Sequence, residues 1–456
     1  MTIAAGNRNE RAWNWLTVAW AVYYLAIFTV GTMPEYKQAS LWGGGTLVGA
    51  WTFWMIIQQY RHLHIPREIG LLALFWGWSF LGGIMATDMA MFSRIIKLTL
   101  ELVLIVLFVG TVLRHSGKVR WFYLAFIGVA VWRTLAASQM VSGGSGGLDY
   151  DLLTSQKGAI SQRFFEANSV GVFAAVGIMS MLALLRETRS LWLRGLWIAG
   201  GLLSLAGVVL SASRGAFITL MAIAVLWPIF CLVGDRRLKL QAILGACAAL
   251  LVAYGVFQFI LANTYLGTRF GYSVHMEDES TMARISFVQI AIQLFLANPL
   301  LGVGAGQFGV ASGTGYYAHN EFAELIATTG LPGFLLYYSV YWLAWRRLSW
   351  SLKILRDPQV RYQLNMARIA LLTLIISGFL FRPNFQLQDT MFLIAMVVGM
   401  ANWAEGAARQ ALWVARGMSQ PEASPGPRSP WSMPGFPGVE ANHLAPTPSN
   451  RFSSIP

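Results

Sequence analysis

Residues 191–210 read LWLRGLWIAGGLLSLAGVVL and residues 216–227 continue as AFITLMAIAVLW, with only SASRG (211–215) between them. The first run alone is long enough to cross the roughly 30 Å hydrocarbon core of a bilayer as a helix. Five residues leave no room for a loop, so the second run must turn back across the same membrane. Because lipid offers backbone groups no hydrogen-bond partners, both runs are predicted to be helices.

The whole chain repeats this pattern. It has 456 residues, of which 56% are hydrophobic and 12% charged, whereas soluble domains are about 25% charged. We therefore predict an all-α polytopic membrane protein with about twelve transmembrane helices. The apolar runs cover residues 13–31, 40–58, 69–86, 98–113, 121–137, 167–185, 191–210, 215–233, 240–261, 321–345, 364–381 and 390–403.

The basic residues indicate how the chain is oriented. With the N-terminus inside, the inner connections hold about 23 of the 33 Lys and Arg residues, as the positive-inside rule requires. Both ends are therefore expected in the cytoplasm. The net charge of +13 does not indicate nucleic acid, because the basic residues lie in short loops rather than on one face. Cys231 and Cys247 lie in apolar stretches, and we assign them no disulfide or metal.

Residues 283–301 form a thirteenth apolar segment. Counting it as a span would move the basic cluster of residues 346–368 outside, so we interpret it as a helix in the outer interface. It belongs to a long outer connection of residues 262–320, and loops of that length are usually functional. The predicted domains are a transmembrane domain of residues 1–417 and a disordered, proline-rich cytoplasmic tail of residues 418–456.

Arg214 lies in the tight turn between two spans, at the outer edge of the membrane. A guanidinium there costs free energy unless it is paired or reaches the lipid headgroups. One interpretation is an arginine that simply extends to the headgroups at a turn. The other is an anion-binding residue, because ionisable groups within the membrane are usually functional.

Arg284 begins the interfacial segment, directly after the acidic run Glu277-Asp278-Glu279. It could pair with those carboxylates on a solvated surface. It could instead face the same cavity as Arg214, and two guanidinium groups would match a diphosphate, since each binds phosphate oxygens in a bidentate manner. The acidic run itself could hold Mg²⁺ or Mn²⁺, although such runs are more often only solvated.

His319 lies where the long outer connection meets the next span. Its ordinary pKa is close to neutral pH, so it could take a proton from an attacking hydroxyl, which arginine cannot do. The alternative is a hydrogen-bonded residue at the start of a helix. Asn320 and Glu324 lie four residues apart on one helix face beside it, and with Arg382, another outer basic residue, they are candidates for substrate binding.

Three motifs in this region carry a resemblance to a known family. They are NPLLGVG (298–304), HNEF (319–322) and GLPGF (330–334). Together they closely resemble the signature of the O-antigen ligase superfamily. These are multi-span enzymes of the bacterial inner membrane and include O-antigen ligases, O-antigen polymerases and protein O-oligosaccharyltransferases. The upstream SRG (213–215) resembles the family's other recurring element.

The resemblance implies a GT-C-like fold with a large periplasmic loop between late helices. It implies a glycan on undecaprenyl diphosphate as donor and a sugar hydroxyl of lipid A core as acceptor. Arg214 and Arg284 would bind the diphosphate, and His319 would activate the acceptor hydroxyl. Transfer would invert the anomeric centre, with no metal and no cofactor.

Within the superfamily, the short basic tail favours a ligase over a protein O-oligosaccharyltransferase, which usually has a longer periplasmic C-terminal part. A polymerase is separated only poorly by sequence. A transporter of lipid-linked glycans is the alternative from another class, and it should have polar residues at mid-membrane on several helices. Here the charged candidates cluster at the outer face, so the expected function is glycosyl transfer by an O-antigen ligase.

Overall fold

A computed structural model describes residues 2–29, 43–59, 65–113, 116–142, 167–232, 279–380 and 384–415, with short pieces between 244 and 264. The described residues contain helices and no strands. The described residues up to Ala411 pack as one compact unit. The predicted all-α class is confirmed.

The described ranges contain twelve α-helices of 14 residues or more, α1 to α12 in chain order, and a single helical turn at Phe308–Ala311 lies between the ninth and tenth. They are α1 (Thr2–Thr29), α2 (Gly45–Gln59), α3 (Glu68–Leu81), α4 (Met89–Val112), α5 (Arg120–Ser142), α6 (Ala167–Glu187), α7 (Leu191–Leu210), α8 (Arg214–Trp227), α9 (Glu279–Ala297), α10 (Glu321–Ile354), α11 (Pro358–Leu380) and α12 (Gln388–Ala415). The bounds of α6 and α7 lie within two residues of the predicted runs, whereas α1 begins 11 residues before its run and α12 ends 12 residues after its run. The segment that we interpreted as interfacial is α9.

Eight helical stretches of the described chain are long and apolar enough to cross a membrane. They are Glu68–Met85, Met89–Val112, Arg120–Ser138, Asn168–Glu187, Leu191–Leu210, Arg214–Cys231, Pro358–Leu380 and Thr390–Ala415. The protein is therefore polytopic. The total of about twelve spans stays a prediction, since the runs at 13–31, 40–58 and 321–345 are not among these eight and the run at 240–261 is only partly described.

Small residues bring α5, α6 and α7 close together, as is usual for helices in lipid. Gly207 of α7 lies so near α5 and α6 that an added Cβ would meet Thr134 Oγ1 at 2.1 Å and Ala174 Cβ at 3.1 Å. Buried aromatic rings fill the neighbouring space, with Tyr24 of α1 packed edge-on against Phe126 of α5. Helix α8 then packs against α6 and α11.

Helix α3 runs antiparallel to the long helix α10. At one end the indole of Trp78 donates a hydrogen bond to the carbonyl of Thr329 at 2.9 Å. Further along, Phe75 contacts Tyr337, with 5.3 Å between ring centroids. At the other end Arg347 donates to Glu68. This pairing fixes the start of α10 beside the end of α3.

Arg347 differs from its sequence interpretation. We counted it among the loop cations, but it lies within α10 and is only 7% exposed. Its guanidinium forms ion pairs with Glu68 and Glu405, both at 2.5 Å, and donates to Asn402 at 2.7 Å. A buried charge is tolerated only when it is paired in this way. Arg347 therefore joins α3, α10 and α12 at the end of the bundle opposite His319.

Candidate functional site

The turn that carries Arg214 is held by serine side chains. Ser213 caps α8, its hydroxyl accepting from the amide of Ala216 at 3.3 Å and donating to Asn168 Oδ1 at 2.9 Å. Ala212 adopts a left-handed backbone with φ of 47°. Serine is a favoured helix cap because its oxygen binds an amide left unpaired at the helix start. The short SASRG sequence thus ends α7 and makes a partly buried Arg214 the first residue of α8.

The start of α8 and the start of α10 lie at the same end of the bundle. Ala216, two residues after Arg214, packs with Val172 and Leu380. One residue earlier on α11, the carbonyl of Phe379 accepts a hydrogen bond from Asn320 Nδ2 at 3.3 Å. The last turn of α11 therefore contacts both the Arg214 turn and the residue that follows His319.

His319 is held between two aromatic rings. The centroid of its imidazole lies 4.0 Å from the ring centroid of Tyr317 and 6.2 Å from that of Phe287. The imidazole plane is nearly parallel to the ring of Phe287. Its φ is 54°, a left-handed conformation that costs free energy in most residues other than glycine. The only other non-glycine residue of the described chain with positive φ is Ala212, so both strained backbones lie in the predicted site motifs.

Arg284 lies near this histidine. It is partly buried and three residues before Phe287 on α9, and residues three apart share a helix face. Phe287 stacks on His319, so Arg284 lies one helical turn from a direct contact of the imidazole. Helix α9 packs against α10, which brings the interfacial segment and His319 together as one unit.

Asn320 and Glu324 both organise the start of α10. Asn320 is the helix cap, and its Oδ1 accepts from the amide of Ala323 at 3.0 Å. Glu324 is 3% exposed. Its carboxylate accepts from the amide of Ala318 at 3.0 Å and from Gln386 Nε2 at 3.1 Å. Asn320 and Glu324 thus fix the backbone on either side of His319. Arg382 lies outside the described residues.

The NPLLGVG and GLPG motifs form one joint. Pro332 has no amide hydrogen, so the carbonyl of Thr328 has no partner within α10. The amide of Gly304 fills that vacancy at 3.0 Å, and the amide of Val303 reaches the carbonyl of Ala327 at 2.9 Å. Gly330 makes the kink, with φ of 66°. The kink therefore leaves two helix carbonyls available, and the loop that leads to His319 binds them.

Glu321 was missed by the sequence analysis. It is fully buried, and its carboxylate accepts from Tyr337 at 3.0 Å and from the amide and side chain of Asn384 at 2.7 and 2.9 Å. Asn384 begins the 3-10 turn Asn384–Gln386, whose Gln386 binds Glu324. Two carboxylates of α10 therefore hold the connection between α11 and α12. Only the sequence position of Glu321 beside His319 hinted at this.

A cavity of about 270 Å³ opens beside the joint. Beside it, Gln307, which is 1% exposed, connects its loop to the start of α4 by accepting from the amides of Thr87 and Asp88 and donating to the carbonyl of Asp88. The lining residues are Asp88, Met91, Arg94, Ile95, Leu98, Gly306, Phe308, Gly309, Val310, Gly315, Tyr316, Tyr317, Glu324 and Gln386. Arg94 was not singled out by the sequence analysis.

The metal alternative concerned the acidic run at 277–279. Glu277 and Asp278 lie outside the described residues, and the side chain of Glu279 does too. Among the side chains that the structure describes, no group of three or more His, Cys, Asp or Glu residues could hold a metal ion. A metal at the acidic run stays untested.

Comparison with known proteins matches part of the chain to one family. Residues 199–338 match the family model described as O-antigen ligase. The matched segment begins in α7, contains Arg214, Arg284 and His319, and ends in α10 after the kink. No curated protein matches the chain.

Proposed function

We propose that this chain, whose residues 199–338 match the O-antigen ligase family model, transfers a glycan from undecaprenyl diphosphate to a sugar hydroxyl of lipid A core. The reaction would take place at the periplasmic face of the bacterial inner membrane. One observation carries the proposal. The ring of His319 stacks on Phe287, one turn after Arg284, at the end of the bundle where Arg214 begins α8.

The chemistry requires a base and a stabilised leaving group. The acceptor oxygen attacks the anomeric carbon, its proton passes to the imidazole of His319, and the bond from that carbon to the diphosphate oxygen breaks. The diphosphate leaves with additional negative charge. Arg214 and Arg284 stabilise that charge because guanidinium groups bind phosphate oxygens in a bidentate manner and stay protonated. A single displacement inverts the anomeric centre and needs no covalent intermediate.

The arrangement of the charged residues favours an enzyme over a transporter. A transport path should place its polar groups near mid-membrane on several helices. Here the candidate residues gather at the starts of α8 and α10, and the buried ion pairs of Arg347 join helices at the far end. A site at one end suits a reaction between two lipid-anchored substrates on one face of the membrane.

A deletion strain separates the activities within the superfamily. We expect lipopolysaccharide from that strain to be unmodified core, with full-length glycan remaining on undecaprenyl diphosphate, and the wild-type chain to restore glycosylated lipopolysaccharide. Core capped with a single repeat unit would instead identify a polymerase. Normal lipopolysaccharide with unglycosylated proteins would identify a protein O-oligosaccharyltransferase.

Reconstitution tests whether the chain itself is the enzyme. The purified protein in nanodiscs, supplied only with lipid-diphosphate-linked glycan and rough lipopolysaccharide, should join the two and release undecaprenyl diphosphate. Movement of intact donor across a vesicle membrane without any new glycosidic bond would refute the proposal and identify a transporter.

A further inference from the structure

The cavity of about 270 Å³ has no role in the chemistry described so far. Neither Arg214 nor Arg284 is among its lining residues, so the donor diphosphate that those residues would bind lies elsewhere. Its volume is close to the roughly 300 Å³ at the lower end of ligand pockets. That suits one or two saccharide units rather than a lipid.

The cavity nevertheless adjoins the proposed base. Tyr317 lines the cavity and also contacts the imidazole of His319, with 4.0 Å between ring centroids. Glu324, another lining residue, accepts from the amide of Ala318 immediately before that histidine. Only the ring of Tyr317 would therefore lie between a saccharide in the cavity and the imidazole of His319, the proposed base.

The lining has the composition of a saccharide site. Tyr316 and Tyr317 offer aromatic surface, and Asp88, Arg94 and Gln386 offer polar groups in the lining. Ligand pockets commonly combine apolar walls with a few polar groups that fix orientation.

Arg94 provides the cavity's positive charge. Both carboxylates of the lining already accept backbone amides: Asp88 caps α4 by accepting from Ala90 and Met91, both at 3.0 Å, and Glu324 accepts from Ala318. Arg94 is exposed, and no carboxylate of the described chain is ion-paired with it. Its guanidinium is therefore available to an anionic ligand, for which its planar fork is well suited.

We propose that this cavity binds a saccharide unit of the acceptor and that Arg94 binds an anionic substituent, phosphate or carboxylate, on that unit. The inference rests on the proposed function and adds the acceptor subsite to it. Arg94 acts as a specificity-determining residue, and binding through it orients the acceptor hydroxyl toward His319.

The test compares Arg94→Gln with Lys97→Gln, an exposed neighbour on α4 that does not line the cavity. In nanodiscs with rough lipopolysaccharide as acceptor, Arg94→Gln should raise the acceptor KM about tenfold, equivalent to about 1.4 kcal/mol. The KM for the lipid-linked donor should stay unchanged. Lys97→Gln should behave as wild type, and Arg94→Lys should recover part of the loss. An unchanged acceptor KM in Arg94→Gln would overturn the inference.

Modified acceptors identify the anion. If Arg94 binds phosphate, the difference between wild type and Arg94→Gln should vanish on rough lipopolysaccharide whose phosphates have been removed. If it binds carboxylate, the difference should vanish only after the carboxyl groups are reduced. A defect that persists on acceptor lacking both groups would refute the role of Arg94.

A binding measurement separates this inference from the proposed function. The affinity of rough lipopolysaccharide for the nanodisc-held protein is measured without donor, so it does not depend on transfer. Binding that Arg94→Gln weakens, in a protein that transfers no glycan, would support the subsite and refute the transferase proposal. Transfer by wild type with binding that Arg94→Gln leaves unchanged would refute the subsite alone.

Discussion

The amide of Gly304 donates a hydrogen bond to the carbonyl of Thr328 at 3.0 Å, the one carbonyl of α10 that Pro332 deprives of its helical partner. Gly304 and Thr328 lie 24 residues apart in the chain, and their hydrogen bond joins the NPLLGVG loop to the kink of α10 as one structural unit. The loop that begins at this unit leads to His319. A change at the kink should therefore also alter the position of His319.

Gly330→Ala should destabilise the protein. Gly330 has φ of 66°, and an added Cβ would meet the carbonyl oxygen of Leu300 at 2.0 Å. Backbone strain and overlap together should cost about 3 kcal/mol or more. Gly313→Ala is the matched control, because Gly313 has φ of 70° with open space around it, so only about 1 kcal/mol of strain is expected. The midpoint of thermal unfolding in detergent measures both, and equal midpoints would contradict the joint.

His319→Asn should abolish transfer without unfolding the protein. Asparagine tolerates the left-handed backbone seen at this position, but its amide cannot accept a proton. We expect turnover to fall about 100-fold or more. Turnover is measured with purified protein in nanodiscs, and the midpoint of thermal unfolding should stay near that of wild type. Retained turnover would show that another group takes the proton.

Arg214→Lys and Arg284→Lys should each impair use of the donor. Lysine keeps the charge but loses the bidentate fork. The expected fall in kcat/KM is about tenfold for each variant, or about 1.4 kcal/mol of transition-state binding. Arg194→Lys serves as the control, since Arg194 is exposed at the far end of α7. If the two site variants match this control, neither guanidinium contacts the diphosphate.

Glu321→Gln should destabilise the start of α10. One carboxylate oxygen becomes an amide that faces donors on Tyr337 or Asn384, and such a mismatch in a buried site costs about 1–3 kcal/mol. In the double variant with Asn384→Asp, the glutamine amide can donate a hydrogen bond to the new carboxylate, so donor and acceptor match again. The double variant should therefore recover part of the stability, and a double-mutant cycle with no coupling would argue against the pairing.

Removal of residues 419–456 should leave transfer unchanged. The composition of this tail predicts disorder, because it is rich in proline and poor in large apolar residues. Truncation after Leu387, which also removes α12, is the contrasting variant and should abolish accumulation of the protein. A loss of turnover on removing the tail alone would mean that the tail takes part in the reaction.

Much of the fold was predictable from sequence for one physical reason. A run of about 20 apolar residues between charged loops can satisfy its backbone in lipid only as a helix. The bounds of α7 and α8 follow the predicted runs for that reason. Arg347 shows the limit, because its position beside a basic cluster indicated a loop, whereas partners on α3 and α12 allow it to lie buried within a helix.

The site was predictable only in part. The predicted positions of Arg214, Arg284 and His319 beside membrane edges, together with their residue chemistry and the motifs around them, marked them as candidates. Glu321 lies within the HNEF motif but was assigned no role, since its partner Asn384 lies 63 residues away in the chain. Arg94 likewise became a candidate only when the structure placed it in the lining of the cavity.

The sequence by itself determined the all-helical membrane class and the residue types available for chemistry, because hydrophobic length and charge are local properties of a chain. Only the tertiary structure decided which distant segments meet. The loop of residues 298–304 fits the kink of α10, Phe287 stacks on His319, and Gln386 binds Glu324. Such contacts depend on how helices pack and where their backbones are left unsatisfied, which no single stretch of sequence contains.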